Sequence, residues 1–169
     1  MRPAEAVKLT EPDVDLAAGV LTIRETKFRK SRLVPLHPTA TGALRRYKAF
    51  RDRQVPTPIA ATFFVIDGGV AFSKSKLRTA FLRIRRDLRW TANGGERIPR
   101  IYDLRHAFAT RRLLRWYADG IDVHLALPSL STYLGHVKVS DTYWYLSAIP
   151  ELMAITAGRF ERFVVGERP

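Results

Sequence analysis

The sequence contains no cysteine, so it has neither a disulfide framework nor a thiolate metal site. Its four histidines, at 37, 106, 124 and 136, lack the close pairing of zinc ligands. No run approaches the ~20 uninterrupted apolar residues that span a bilayer as a helix. The opening MRPAEAVKL is too polar for a secretory signal. Internal repeats and low-complexity tracts are missing as well. The expectation is a soluble cytoplasmic protein with no membrane partner, no metal and no cofactor. Acid is the other shortage: 16 Asp and Glu stand against 29 Lys and Arg, a net charge of +13. Such a surplus predicts attraction to a polyanion that weakens steeply with salt. Nucleic acid, a membrane surface and an acidic protein are the rival polyanions, and the dominance of arginine favours phosphate.

With 169 residues, 46% of them apolar, the chain is large enough for a real core and is not disordered in general. One domain over 1–169 is expected. Residues 2–9 read as a helix, with Ala4, Val7 and Leu9 on one side and Pro3 in the first turn. Residues 20–23 and 32–36 read as two strands joined by a basic hairpin tip containing Lys27, Arg29 and Lys30. Pro35 argues for an edge position or a strand end. A helix follows over 39–53. The run Phe63-Phe64-Val65-Ile66 is a strand or a buried loop. A helix over 73–90 carries the stripe Leu77, Phe81, Ile84 and Leu88. Around that stripe stand Lys74, Lys76, Arg78, Arg83, Arg85, Arg86 and Arg89, with Asp87 as the single acid. A neutral surface would interleave glutamates, so this helix is expected to face phosphate. Further helices are expected over 102–118, from near Ser129 to Leu134 because of Pro128, over 139–146, and over 151–163.

The candidates for chemistry are Arg105, His136 and Tyr145, with Lys27 on the hairpin tip and Arg2 in the first helix. A phenol with a pKa of ~10 attacks a phosphodiester poorly at neutral pH. Cations on the non-bridging oxygens stabilise the charge that grows in the transition state. A further acid must protonate the leaving 5′ oxygen, and an imidazole can add a hydrogen bond or a proton. No metal is needed once cations do this. Each residue also has a plain structural role open to it. Arg105 could pair with Asp103 or Asp119, His136 could cap a helix, and Tyr145 could pack in a core.

Leu104-Arg105-His106-Ala107-Phe108-Ala109-Thr110, Leu134-Gly135-His136 and Tyr145 nine residues on together resemble the catalytic domain of the tyrosine recombinases, the phage integrases and chromosome-dimer resolvases. The resemblance covers nearly the whole chain. The hairpin from Lys27 to Arg32-Leu33-Val34-Pro35-Leu36 is similar to the family's catalytic-lysine hairpin, and Arg2-Pro3-Ala4-Glu5 to the segment of its first arginine. The resemblance implies a mainly α fold with a small antiparallel β-sheet, an α+β arrangement. It implies that Arg2 and Arg105 clamp the scissile phosphate and that Lys27 protonates the 5′ oxygen. His136 would stabilise the phosphate, and Tyr145 would form a 3′-phosphotyrosyl bond. Double-stranded DNA is the implied partner, held by Arg29, Lys30, Lys74, Lys76, Arg78 and Arg85. A homotetramer on DNA is implied too, with residues 151–163 either exchanged between neighbours or docked on their own core. Tyr143 is the rival nucleophile, but residues two apart on a helix point ~200° apart.

The pattern departs from the family in two places. Tyr102 stands where the family usually has a histidine, and a neutral phenol is a poor base. The helices and the DNA-clamping domain that the family places before the first arginine are not in this sequence, so a truncated chain with weak, largely sequence-independent DNA binding is expected. The leading expectation is a site-specific recombinase or transposon integrase, and the alternative is a truncated DNA-binding remnant. A type IB topoisomerase shares the chemistry. An RNA-binding domain lacks support, because no aromatic-rich strand motif is present.

Overall fold

The computed structural model describes residues 1–24, 31–90 and 98–147. The chain divides into two compact units, Met1–Tyr102 and Asp103–Pro169. The class is the expected one, mainly helical with one three-stranded antiparallel sheet of order β1-β2-β3.

In the first unit a single turn of helix, α1 (Pro3–Ala6), precedes β1 (Val14–Asp15), β2 (Val20–Ile23) and β3 (Arg32–Pro35). Leu21 pairs with Val34 across the sheet, and both are buried along with Ile23, while Leu33 faces out. This alternation is the period-two pattern of a half-buried sheet. Pro35 ends β3, an edge strand, where its missing N–H costs no ladder bond. Strand β1 has no signal in the sequence, since two residues are too few to show a period.

The expected helix over 2–9 stops after one turn. Beyond it Leu9 is buried, and its carbonyl accepts the Phe63 N–H at 2.7 Å. One turn has too little cooperativity to resist that tertiary bond. The run 63–66 is the buried loop of the two alternatives, with only isolated bridges from Thr62 to Thr10 and from Val65 to Ala71. Phe63 is fully buried, tilted against Tyr47 and edge-on to Phe64. The Arg51 guanidinium sits 5.3 Å over the Phe63 ring and donates to the Phe63 carbonyl at 2.8 Å. Tyr47 and Arg51 come from α2 (Pro38–Gln54), which His37 caps by accepting the Thr39 N–H. Gly69 closes the loop with φ +75°, and a Cβ there would lie 2.8 Å from Pro58 Cα.

Helix α3 (Lys74–Asp87) is capped by Ser73, but its apolar stripe is only partly covered. Phe81 is buried, whereas Ile84 and Leu88 are exposed. The helix ends at Asp87 because Leu88 leaves helical geometry and Arg89 takes a φ of 51°.

The second unit contains α4 (Asp103–Ala118), α5 (Val123–Leu134) and α6 (Ser140–Ser147). Its core is Ala109, Leu113, Val123, Leu127, Leu130, Leu134 and Tyr145. Val123, Leu127, Leu130 and Leu134 recur at helical spacing, so one face of α5 is buried throughout. Here the expected start near Ser129 is corrected: α5 begins six residues earlier and carries Pro128 inside it. Asp122 caps it by accepting the His124 and Leu125 N–H groups at 2.9 and 3.3 Å. Pro128 lies just past the first turn, where one lost N–H bond is outweighed by burial of Val123 and Leu127, each contributing about 1.5–3 kcal/mol. The expected helix over 151–163 lies outside the described residues.

Two outcomes follow from this packing. Gly69→Ala forces a left-handed φ and a backbone clash, so urea unfolding should show a loss of more than about 1 kcal/mol. Glu5 and Asp13 govern the acid side. Burial alone would raise the Glu5 carboxyl, but the Arg32 hydrogen bond, the Arg2 N–H and both guanidinium charges hold it below the ordinary range. Burial likewise opposes, and Thr10 and Arg24 outweigh, at Asp13, which is also lowered. Depressed carboxyls contribute stability above their unfolded pKa, about 4, that is lost as pH falls through the lower folded value. The urea midpoint should therefore drop below about pH 4, and drop less in Glu5→Gln.

Candidate active site

The site in the second unit begins at a helix end. Gly135 takes φ 75° after Leu134, and the chain reverses there. Its N–H bonds the Thr132 carbonyl at 3.0 Å, and the His136 N–H bonds the Ser131 carbonyl at 3.0 Å. These are the two bonds of a Schellman cap. The Leu134 carbonyl is one of the helix-terminal acceptors that no helical N–H can reach, and Arg105 Nη1 donates to it at 2.6 Å. Arg105 stands in the first turn of α4, so a backbone acceptor on one helix fixes a guanidinium on another.

The same reversal delivers His136. Its Nδ1 lies 2.8 Å from Thr142 Oγ1, and Thr142 is completely buried on α6. Tyr145 is three residues further along α6, on the same face. Its ring lies parallel to His136, at 3° with centroids 6.3 Å apart. Its Oη is 3.1 Å from His106 Nδ1. Burial pushes the Tyr145 phenol above its ordinary value, against the opposing charge and hydrogen bond of Arg105. The phenol therefore stays protonated at neutral pH. Tyr143 faces the other way: it is 44% exposed and its ring lies 6.2 Å from that of His124. Of the two tyrosines, only Tyr145 sits with Arg105 and His136.

The remaining expected residues belong to the first unit. Arg2 donates through Nη1 to Glu5 at 3.1 Å and through its backbone N–H at 2.7 Å. Glu5 also accepts from Arg32 Nη2 at 2.8 Å. Tyr102 lines a cleft of 310 Å³ together with Pro3, Lys74, Arg78 and Ile101. Lys74, Lys76 and Arg78 are exposed on α3. Arg85 is half-buried and donates to the Pro99 carbonyl at 3.1 Å. Lys27, Arg29 and Lys30 lie outside the described residues.

Sequence reasoning misses three contributors. His106 touches the phenol, although the sequence presents it only as part of the arginine motif. Thr142 holds His136, and its spacing of three from Tyr145 is the available signal. Glu5 holds Arg2, again at a spacing of three. Among the described residues no group of His, Asp or Glu could hold a metal ion, and no helix is long and apolar enough to cross a membrane.

Comparison with known proteins shows the family and the fold. Residues 1–151 match the phage integrase family. The chain is 41% identical over 159 residues to y4rE of Sinorhizobium fredii, by name an integrase/recombinase, covering 94% of this chain and 50% of that protein. It is 32% identical over 150 residues to the tyrosine recombinase XerC of Chlorobaculum parvum, covering 86% of this chain and 40% of the other. The chain thus spans about half the length, or less, of these curated relatives. Its fold is that of the XerA recombinase crystal structure, with TM-score 0.73 and 24% identity over 94% of this chain and 53% of that one. XerH recombinase bound to a palindromic difH substrate is similar too, with TM-score 0.67 and 23% identity over 95% of this chain and 42% of that one. By sequence and fold, the chain belongs to the phage integrase family.

Proposed function

We propose that residues 1–169 form the catalytic domain of a site-specific DNA recombinase that cuts and rejoins DNA through a 3′-phosphotyrosyl intermediate. The observation that carries this reading is the placement of Tyr145 beside Arg105 and His136 while Tyr143 faces away. In the proposed reaction Arg105 and Arg2 bind the non-bridging oxygens of the scissile phosphate. Positive charge fixed beforehand stabilises the transition state without reorganising when it forms. His136, held by Thr142, adds a hydrogen bond, and Lys27 protonates the 5′ oxygen. Energy stored in the phosphotyrosyl bond lets a second 5′ hydroxyl reverse the step, so no cofactor is consumed. The substrate is double-stranded DNA in the cytoplasm, and the working form is a homotetramer.

Helix α3 supports the DNA partner. The positive end of a helix dipole favours acids in the first turn, yet α3 has none there and places Lys74 and Lys76 instead. That arrangement opposes the helix's own stability and suits an external anion. Lys74, Lys76 and Arg78 are proposed phosphate contacts, with Arg29 and Lys30 from the hairpin. Arg85 contributes less, because the Pro99 carbonyl already orients it.

A second, less favoured reading, a domain that binds DNA without cutting, draws on Tyr102 at the family's histidine position and on the burial of Tyr145, which is 3% exposed.

Incubation with nicked duplexes tiled across the DNA flanking its own gene separates the readings. Wild type and Tyr143→Phe should give a covalent protein–DNA band on a denaturing gel, and Tyr145→Phe should give none. Arg105→Ala should slow the band by roughly 10²–10³-fold. Retardation without any band would favour binding without cutting. Replacing Lys74, Lys76 and Arg78 by Gln should reduce the slope of log affinity against log salt by roughly 0.9 for each phosphate no longer neutralised.

A further inference from the structure

His106 follows Arg105 directly, and one helical step turns its side chain about 100° away from the arginine. That step aims it at α6. Its Nδ1 is 3.1 Å from Tyr145 Oη, and its ring lies 5.6 Å from the Tyr145 ring and 6.0 Å from Trp144. Two imidazoles therefore meet the phenol in different ways. His136 lies parallel to the tyrosine ring, with Nδ1 engaged by Thr142. His106 points a ring nitrogen at the hydroxyl. The second geometry puts a proton acceptor within hydrogen-bond reach of the proton that must leave. His106 is also exposed, so a proton accepted at Nδ1 can be matched by one released from Nε2 to water. Tyr102 occupies the position of the family's usual histidine, and a phenol there is a poor base.

We propose that His106 is the catalytic residue that removes the proton from the Tyr145 phenol. This rests on the reading of Tyr145 as the nucleophile. The neutral imidazole carries its hydrogen on Nε2 and accepts at Nδ1. The Tyr145 O–H bond breaks and an Nδ1–H bond forms. The oxygen's electron pair makes the bond to phosphorus, the bond from phosphorus to the 5′ oxygen breaks, and that oxygen takes its proton from Lys27. The His106 imidazolium then gives the Nε2 proton to water, and the reverse step returns a proton to the phenol. Burial holds the phenol above its ordinary value, so an acceptor on its proton favours attack.

The test uses the whole chain and two variants, with Tyr145→Phe alongside. His106→Asn keeps an amide that can hydrogen-bond the phenol but cannot take up its proton at neutral pH. His106→Ala leaves room for added imidazole. Both should form the covalent band on the tiled nicked duplexes at least about 10²-fold more slowly, and imidazole should speed His106→Ala but not Tyr145→Phe. A His106→Asn rate within about threefold of wild type would reduce His106 to a packing role and overturn the proposal. A band that survives in Tyr145→Phe would instead remove the nucleophile on which it rests. Nitrogen-15 spectra of the uncomplexed wild-type protein decide independently of cleavage. The tautomer with hydrogen on Nε2 supports the proposal, and hydrogen on Nδ1 of the neutral ring overturns it even if no duplex is cut.

Discussion

One hydrogen bond organises the second unit, from Arg105 Nη1 to the Leu134 carbonyl. The acceptor is a backbone oxygen at a helix end, so it cannot swing on side-chain torsions as a carboxylate can. Gly135 reverses the chain immediately after it, and that reversal sets where His136 and the start of α6 lie. The position of Tyr145 follows in turn, through the buried Thr142 that touches His136. A planar guanidinium has five donors, so one bond to the backbone orients the group without exhausting it. Arginine suits this double duty better than lysine, whose three donors sit on one compact, strongly hydrated point charge instead of a planar fork.

The chain divides its cations between holding the fold and meeting an anion. Arg51 is buried and bound by Glu11 and Asp52 while it also caps the Phe63 carbonyl. Arg32 is almost as enclosed. On α3, by contrast, Asp87 is the acid within reach of Arg83 and Arg86, at 4.0 and 3.5 Å, and such exposed pairs are worth little in water. The first turn of that helix is left with like charges at its positive end. Like charges placed there repel one another in the isolated protein and attract an external polyanion.

Much of this is legible in the sequence. The pairing of β2 with β3, the edge position of Pro35 and the helices bearing Arg105 and Tyr145 follow from period, turn chemistry and motif spacing. The choice of Tyr145 over Tyr143 follows from motif spacing and agrees with the face of α6 that is buried. What escapes shares a cause. Pro128 reads as a helix start, but burial of Val123 and Leu127 and the Asp122 cap outweigh local propensity. The helix over 2–9 is cut short by a bond from Phe63, some fifty residues away, which no local pattern announces. His106 is hidden because adjacency along a helix says nothing about which neighbouring helix a side chain meets. The Leu134 carbonyl is invisible in principle, since every residue has one.

The Glu5 carboxylate has a consequence for how such a sequence can drift. It holds Arg2 ahead of α1 and Arg32 at the opening of β3, two segments thirty residues apart. Loss of the acid would leave two like charges close together, Arg32 enclosed and Arg2 about a third exposed, with their repulsion opposing the fold. Loss of either arginine would leave the acid half-compensated. Positions 2, 5 and 32 are therefore coupled energetically, so the effects of changes at any two of them do not simply add.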